Sequence, residues 1–403
     1  MGTKNMSRET ESLSHLLAAK SADNAWQKPQ IFSLSEASDR SRLEELLKSG
    51  AVRAVHDHIS YAIEELCDIS QPAQKDSKTP EDVAAFARSI GAAKYETYGV
   101  WVYYPWSGQL VHMPEKNALR QLRTSRNRNL VNAAEQTALY SATILVVGLS
   151  VGSSAVEMLV SQGIGGRFVL ADMDIIEPSN LNRIKLPYAE VGVHKVDAMA
   201  KKISETDPYI EQIHYKDGLT EKNLARIMNE HRPDVIIDEM DSLSMKITLR
   251  KAAKENGVAV LMATDDGDNA ILDIERYDQN PDQELFDGRI PSEILEKILS
   301  GAFSRPEIGR VIGEYFVGFE HVPLRMLESL AEVGKTLPSW PQLAGAATLS
   351  GVGLAYAAKK IILDYPLHAG RHIFDIDAEL NPEVKTEEYQ VKMRQFFERG
   401  ARD

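Results

Sequence analysis

The sequence predicts an α/β protein built around a doubly wound, mostly parallel sheet. From Thr143 onwards, short apolar segments alternate with amphipathic segments of helical length. The apolar segments are continuous, which is typical of parallel strands that are buried on both faces. We expect an additional α+β region before this part of the chain and a mainly helical region after it.

The elements of the central part follow from these two patterns. The predicted strands are 143–148, 167–172, 210–216, 234–238, 258–264 and 270–277. The predicted helices between them are 153–162, 194–206, 220–231 and 243–256.

The flanking regions carry weaker patterns. Before the sheet, helical spacing covers 41–69 and 117–142, and an aromatic, β-branched run over 98–105 indicates a strand. After the sheet, helices are predicted at 285–301, 306–315, 324–334 and 342–362. We therefore divide the chain into an accessory region (1–118) suited to substrate recognition, a nucleotide-binding domain (119–282) and a helical region (283–403).

Composition narrows the class of protein. The net charge of −13 over 403 residues does not favour non-specific nucleic-acid binding. We expect neither a signal peptide nor a membrane segment, because the N-terminus lacks an apolar core and the low-charge run 343–358 is shorter than a bilayer span. Residues 1–30 are polar, and we expect them to be poorly ordered at their start.

The chain has a single cysteine, Cys67, which excludes an internal disulfide and a cysteine-rich zinc site. This composition fits a reducing, cytoplasmic environment. Cys67 lies in an apolar helical pattern, so a buried and unreactive thiol is predicted.

The strand 143–148 runs into a glycine turn, Gly148-Leu-Ser-Val-Gly152, and then into a helix. Such a Rossmann-like turn places backbone N–H groups and a positive helix end beside a phosphate. Asp172 ends the second strand, 24 residues after Gly148, near the spacing at which a carboxylate meets a ribose hydroxyl. Serines at 150 and 153 replace expected glycines, so the turn alone also fits a purely structural role.

Polar residues then crowd the carboxyl end of the sheet, where ligands bind in open α/β folds. They are Asp172, Asp174, Ser179, Asn180, Asn182 and Arg183. Arg183 and Lys195 can neutralise phosphate charge. Asp241 follows the strand 234–238 and can hold Mg²⁺ together with substrate phosphates. Ser242 follows directly and is included among the nucleotide-site candidates.

This ordered set resembles the E1-like adenylyltransferases, the family of ThiF, MoeB and the ubiquitin-activating enzymes. The family pattern is D-x-D-x-[IV]-x-x-S-N-L-x-R, then G-x-x-K, then D-x-x-D. Here these motifs are Asp172–Arg183, Gly192–Lys195 and Asp238–Asp241. Upstream, Ser125–Arg128 resembles the arginine element of the family, and the resemblance covers roughly residues 120–280.

The resemblance implies that ATP and Mg²⁺ are bound and that a substrate carboxylate attacks the α-phosphorus, giving an acyl-adenylate and pyrophosphate. Asp172 would hold the ribose, and Asp241 would serve Mg²⁺. The triphosphate would contact Asn180, Arg183 and Lys195. A homodimer is also implied, in which Arg128, rather than Arg126, would reach the active site of the partner subunit.

The sequence departs from the family in its cysteines. The C-x-x-C pairs that bind zinc in many members are absent, so no zinc is expected. No cysteine follows the adenylation region, so we expect an activated acyl group to pass to its acceptor without an enzyme thioester.

The substrate and two other functional classes remain open. The acid is a small protein's C-terminus, a peptide or a small molecule, and precursor-peptide modification in natural-product biosynthesis is one form of this activity. The alternatives are an NAD(P)-dependent oxidoreductase and a catalytically silent E1-like scaffold.

Asp265–Asp268 is interpreted as an ordinary loop at the ligand end of the sheet, where it can contact substrate. Trp101–Trp106 is interpreted as core, with a peptide-binding surface as the alternative.

Overall fold

The structure, a computed structural model, describes Ser14 and residues 24–400. The expectation for the start of the chain therefore lies almost wholly outside the described residues. The strands are β1 Gln30–Phe32, β2 Ala54–Asp57, β3 Val100–Tyr104, β4 Gln109–Met113, β5 Thr143–Val147, β6 Arg167–Ala171, β7 Glu211–Tyr215, β8 Val235–Asp238, β9 Ala259–Asp266, β10 Asn269–Glu275 and β11 Gly370–Phe374.

The α-helices are α1 Ala37–Lys48, α2 Ile59–Ser70, α3 Pro80–Ser89, α4 Lys116–Arg123, α5 Ala133–Ser141, α6 Val151–Ser161, α7 Lys195–Thr206, α8 Glu221–Arg226, α9 Leu243–Asn256, α10 Ser292–Leu299, α11 Arg305–Val311, α12 Leu324–Leu330, α13 Ala344–Ile362, α14 Ile376–Leu380 and α15 Glu387–Gly400. Short 3₁₀ and π turns connect several of them, including a 3₁₀ turn at Pro178–Asn182.

The described residues form two compact units. The first contains the residues up to Ala134 together with Ser161–Gly163 and Gly192–Ile210. Its sheet has the order β1-β3-β4-β2, in which β2 runs parallel to β4 and the other pairs are antiparallel. Val102 is fully buried, and Tyr104 donates a hydrogen bond from its hydroxyl to the carbonyl of Ser204 (3.2 Å), so the aromatic strand belongs to the core of this unit.

The second unit contains a seven-stranded sheet of order β11-β10-β9-β8-β5-β6-β7. Five neighbouring strands of this sheet, β9, β8, β5, β6 and β7, are mutually parallel. β10 and β11 are antiparallel and extend the sheet on the β9 side. Ile144, Leu145 and Val146 of β5 have no exposed surface, as expected for a strand covered on both faces. The predicted α/β class with a mostly parallel sheet is confirmed.

Helices cover both faces of this sheet. α9 packs on one face, where Leu249 and Ala253 join a core cluster with Leu145 and Val260. Beyond the sheet, the C-terminal part is mainly helical as predicted, and its residues pack against β10 around Ile271. None of the helices in the described ranges is both long and apolar enough to cross a membrane.

Two predictions of local structure were wrong, and the strands β1, β4 and β11 were not predicted. The helix predicted over 41–69 is interrupted by β2, which pairs with β4 and therefore depends on a partner distant in sequence. The helix predicted over 117–142 is broken into α4, a 3₁₀ turn and α5. The strand β11 was not predicted, because its exposed residues Ile373 and Phe374 give no buried pattern and it forms only by pairing with β10.

Candidate functional site

Four neighbouring parallel strands end on the same side of the seven-stranded sheet, and we call this border, formed by their carboxyl ends, the carboxyl edge or simply the edge. Across this edge, in the order β6, β5, β8 and β9, the chain places Asp172, Gly148, the turn that carries Asp241, and Asp265. Because ligands of open α/β sheets bind beyond the carboxyl ends of the strands, this edge is the candidate site.

Gly148 is required by the geometry of the turn that follows β5. Its φ is +85°, and a Cβ at this position would lie 2.3 Å from the carbonyl oxygen of Glu239 and 2.8 Å from the nitrogen of Met240. Its own N–H donates to the carbonyl of Ala171 at 2.9 Å. Only glycine fits such a conformation and such a close approach of two chain segments.

The serines that replace the expected glycines are accommodated without distorting the turn. Ser153 is buried, and its hydroxyl donates to the carbonyl of Ser150 at 2.6 Å. Gly152, predicted as a nucleotide residue, lies against β5, where an added Cβ would be 3.1 Å from Val146 Cγ1. Gly152 therefore allows close packing of α6 on the strand, and its nucleotide role stays a prediction.

Asp172 connects the glycine turn to the loop after β6. It is 7% exposed, and its Oδ2 accepts a hydrogen bond from the N–H of Leu149 at 2.6 Å. Its Oδ1 accepts from the N–H of Asp174 at 2.8 Å, while Asp174 itself is exposed. A carboxylate has more than two acceptor positions, so these bonds are compatible with the predicted contact to a ribose.

The segment after β6 folds into the 3₁₀ turn, which Asn180 stabilises. Asn180 is buried, and its Oδ1 accepts from the N–H of Glu177 at 3.0 Å. Asn182 is exposed and donates from Nδ2 to the carbonyl of Gln342 at 2.6 Å, and Ser179 is exposed as well. Asn180 thus has a structural task in addition to its predicted one.

Arg183 is held beside the glycine turn. Its Nε donates to the hydroxyl of Ser150 at 2.9 Å, and its Nη1 donates to Asn182 Oδ1 at 3.0 Å. Burial lowers the pKa of Arg183, whereas Asp265 and Asp241 act in the opposite direction, so both carboxylates lie within its electrostatic range. A guanidinium stays charged in proteins, so Arg183 is a fixed cation at this edge. The serine that departs from the glycine pattern is therefore its anchor.

The two acids of the D-x-x-D motif differ in their surroundings. Asp241 is exposed in the turn after β8. Ser242 is the N-cap of α9, and its hydroxyl accepts from the N–H of Met245 at 3.4 Å. Asp238 is fully buried and pairs with Lys246 Nζ at 3.1 Å and Arg250 Nη1 at 2.5 Å. Burial alone would raise the pKa of Asp238, but these two cations lower it below its ordinary value.

Arg250 extends this buried network to the next strands. Its Nε pairs with Glu275 Oε2 at 2.6 Å, and its guanidinium lies 4.0 Å from the centre of the Phe286 ring. These residues were not predicted from the sequence. The available signal was an acid at the end of each of two buried strands, Asp238 in β8 and Glu275 in β10, because buried acids need a cation.

Asp265 and Asp266 end β9, and the interpretation of this segment as a loop was wrong. Both residues pair with β10, and only Gly267 and Asp268 form the hairpin turn. Asp265 Oδ1 accepts from the hydroxyl of Ser350 at 2.9 Å. Burial raises the pKa of Asp265 to about 6, and the hydroxyl and Arg183 limit this rise. Burial, and then Asp375, raise the pKa of Asp266 to about 7.

The remaining predicted residues belong to the first unit. Lys195 is buried at the first position of α7, and Arg128 is exposed after the 3₁₀ turn Ser125–Asn127. Their roles stay predictions. Cys67 is 1% exposed in α2, which agrees with a buried thiol.

A protein-only metal centre is absent from the described part of the chain. No group of three or more His, Cys, Asp or Glu side chains is arranged there to hold a metal ion. A cation at this edge would therefore depend on a single carboxylate, such as Asp241, together with oxygen atoms of a ligand and water. This is the usual arrangement for Mg²⁺ bound with a nucleotide.

Comparison with known proteins identifies a domain that covers this edge. Residues 124–267 match the model of the ThiF family. The uncharacterised protein MT1398 of Mycobacterium tuberculosis is 36% identical over 281 residues, which are 70% of this chain and 38% of that protein. The adenylyltransferase and sulfurtransferase UBA4 of Yarrowia lipolytica is 27% identical over 176 residues, 43% of this chain and 44% of UBA4.

The chain thus spans less than half the length of either relative. Among solved structures, the tRNA N6-threonylcarbamoyladenosine dehydratase TcdA of E. coli has a TM-score of 0.44 and 23% identity, covering 62% of this chain and 97% of TcdA.

Proposed function

Because residues 124–267 form a ThiF-family domain, we propose that this protein is an E1-like adenylyltransferase that uses ATP to activate a substrate carboxylate. In the reaction, a carboxylate oxygen attacks the α-phosphorus of ATP, and the bond between that phosphorus and the β-phosphate oxygen breaks. The products are an acyl-adenylate and pyrophosphate. One observation carries the proposal: Gly148, Asp172, Arg183 and Asp241 share one edge of one sheet.

The geometry of the edge suits a nucleotide. The glycine turn and the first turn of α6 offer backbone N–H groups to phosphate oxygens, and Asp172 lies on the neighbouring strand for the ribose. Arg183 is already fixed by Ser150, so its charge needs little rearrangement when negative charge moves to the leaving pyrophosphate. Such activation needs no protein nucleophile, so positioning and neutralisation supply the catalysis.

Asp241 is the residue that would hold Mg²⁺ in this proposal, because it is exposed and lies within the electrostatic range of Arg183. The metal supplies further neutralisation of the phosphates. Asn180 and Lys195 remain candidates for triphosphate contacts by resemblance.

The surroundings of Cys67 support direct transfer of the acyl group. The only thiol of the chain is buried, so an enzyme thioester on this protein is not part of the proposal. A peptide, a small protein's C-terminus or a small acid all fit as substrates. The net charge of −13 disfavours a large polyanion such as tRNA. The alternative function, an oxidoreductase, would not explain the presence of Arg183 and Asp241 at this edge.

ATP–pyrophosphate exchange, screened over candidate acids, tests the proposal. Arg183→Ala should lower the exchange rate at least a hundredfold, and Asp241→Asn should raise the Mg²⁺ concentration needed for half-maximal rate. Arg167→Ala is the matched control, because Arg167 begins β6 at the opposite edge and pairs with Glu211 at the surface. An equal loss in all three variants, or exchange unaffected by Arg183→Ala, would show that the site is assigned wrongly.

The proposed homodimer has its own test. If Arg128 acts on the site of a second copy, Arg128→Ala and Arg183→Ala chains should each be inactive but restore activity when they are mixed. One site of each mixed dimer would then be complete, and random mixing predicts about a quarter of the wild-type rate. No recovery after verified exchange of subunits would leave Arg128 without a role in trans.

A further inference from the structure

Asp265 lies beyond the end of the neighbouring strand. The last pair between β8 and β9 joins Ile237 to Leu261, and β9 continues from there to Asp266. Glu239 Oε1 accepts from the N–H of Ala263 at 2.7 Å and so ties this extension to the turn that carries Asp241. Asp265 therefore borders the candidate site and lies roughly 13 Å further along β9 than Leu261.

The carboxylate of Asp265 is incompletely satisfied. The residue is 5% exposed, and its Oδ2 has no hydrogen-bond partner among the described residues. The hydroxyl of Ser154 on α6 is also buried, and it too has no hydrogen-bond partner among the described residues. α13 contacts both residues, because Ser350 donates a hydrogen bond to Asp265 and Gly351 packs against Ser154, where an added Cβ would be 2.6 Å from the carbonyl carbon of Ser154.

Buried polar atoms in proteins are nearly always paired, because an unpaired one costs free energy. At a ligand-binding edge, an unpaired carboxylate oxygen indicates that the ligand supplies the donor. The position of Asp265 also limits which part of the ligand this is. Asp172, the predicted ribose acid, follows β6, the phosphate turn follows β5 and Asp241, the predicted metal ligand, follows β8, so β9 borders the part of the ligand that lies beyond the phosphates.

Phosphate oxygens do not fit this position, because a buried carboxylate repels them. A protonated amine fits best, since a charged hydrogen bond between ammonium and carboxylate is the strongest pairing available to Asp265. Arg183 is held beside the glycine turn by Ser150 and lies within electrostatic range of Asp265, so the phosphates already have a protein cation and we assign the incoming cation to the acid that is being activated.

We propose that Asp265 is a specificity-determining residue, and that the acid activated by this protein also carries a protonated amine, which the unpaired oxygen of Asp265 binds. This inference rests on the proposed adenylation and names the class of its substrate, an amino acid or a peptide with a free amine.

The test compares two substrate pools in ATP–pyrophosphate exchange. One contains amino acids and dipeptides with free amines, and the other contains the same compounds after complete N-acetylation. The wild-type protein should prefer the free amines at least tenfold, because a site built for a hydrogen-bond donor rejects analogues that lack it. Asp265→Asn should lower the rate with free amines to that of the acetylated pool, through KM, and leave stabilisation by ATP unchanged.

Asp268→Asn is the control, because it removes an equal charge from the exposed turn of the same hairpin. This variant should leave the exchange rate with both pools unchanged. Equal rates with both pools in the wild type would overturn the inference and leave the adenylation intact. A loss for both pools in Asp265→Asn, with a higher Mg²⁺ requirement, would overturn it in favour of a metal-binding role. No exchange with either pool, when an acid outside both pools supports exchange, would also overturn the inference and leave the adenylation intact.

Discussion

Replacing Gly148 with alanine tests whether the close approach of two chain segments holds the candidate site together. A left-handed conformation costs an L-residue about 1–2 kcal/mol. The added Cβ would also lie 2.3 Å from the carbonyl oxygen of Glu239, so the turn must move by at least about 0.7 Å. Overpacking of this kind adds about 1–3 kcal/mol, which gives a total of about 2–5 kcal/mol.

Gly91→Ala separates the two contributions. Gly91 has a φ of +82°, close to that of Gly148, but nothing lies within 4 Å of its added Cβ. Differential scanning calorimetry should show a melting temperature lowered by several degrees more in Gly148→Ala than in Gly91→Ala. Isothermal titration should show ATP affinity reduced at least tenfold in Gly148→Ala alone. Equal melting temperatures and wild-type affinity in both variants would refute a rigid contact at Gly148.

Three further predictions concern buried groups. Arg250→Met should destabilise the protein by about 3–5 kcal/mol, seen as a lower melting temperature, because it leaves the buried Glu275 without a cation and Asp238 with Lys246 alone; an unchanged melting temperature contradicts the network. The pKa of Asp266 is raised from 3.8 to about 7, so folding loses stability as pH rises between these values. Asp266→Asn should therefore raise the melting temperature more at pH 8 than at pH 5, and a reversed order would be inconsistent with a raised pKa. After incubation with ATP and a substrate acid, the denatured wild-type protein should carry no covalently bound acyl group, whereas an acyl group on the wild type that is absent from Cys67→Ser would argue for a thioester.

The central sheet was predictable because its strands are signalled locally. Continuous apolar runs such as β5 and β6 have few alternatives to burial on both faces, and the helices between them follow directly. β2 and β11 were not predictable by the same reasoning. β2 lies in a segment whose apolar spacing also fits a helix, and β11 is partly exposed, so both depend on pairing with strands far away in sequence.

The candidate site was predictable in its order along the chain and not in its contacts. Asp172 and Arg183 follow β6 and Asp241 follows β8, so a parallel sheet alone brings the segments that carry them to the same ends of the strands. The bond from Arg183 to Ser150 and the bond from Ser350 to Asp265 join residues 33 and 85 positions apart. Such pairs depend on how loops and α13 pack, which no local pattern specifies.

The D-x-x-D motif shows why residue type alone does not assign a role. Asp238 and Asp241 are three positions apart, yet one is fully buried between Lys246 and Arg250 and the other is exposed. The buried acid is neutralised by protein cations, so its charge is not available to a ligand. It fixes the end of β8, and the turn that begins there positions the exposed acid. Loss of Asp238 should therefore act on stability first, whereas loss of Asp241 should act on the Mg²⁺ dependence of catalysis while the fold is retained.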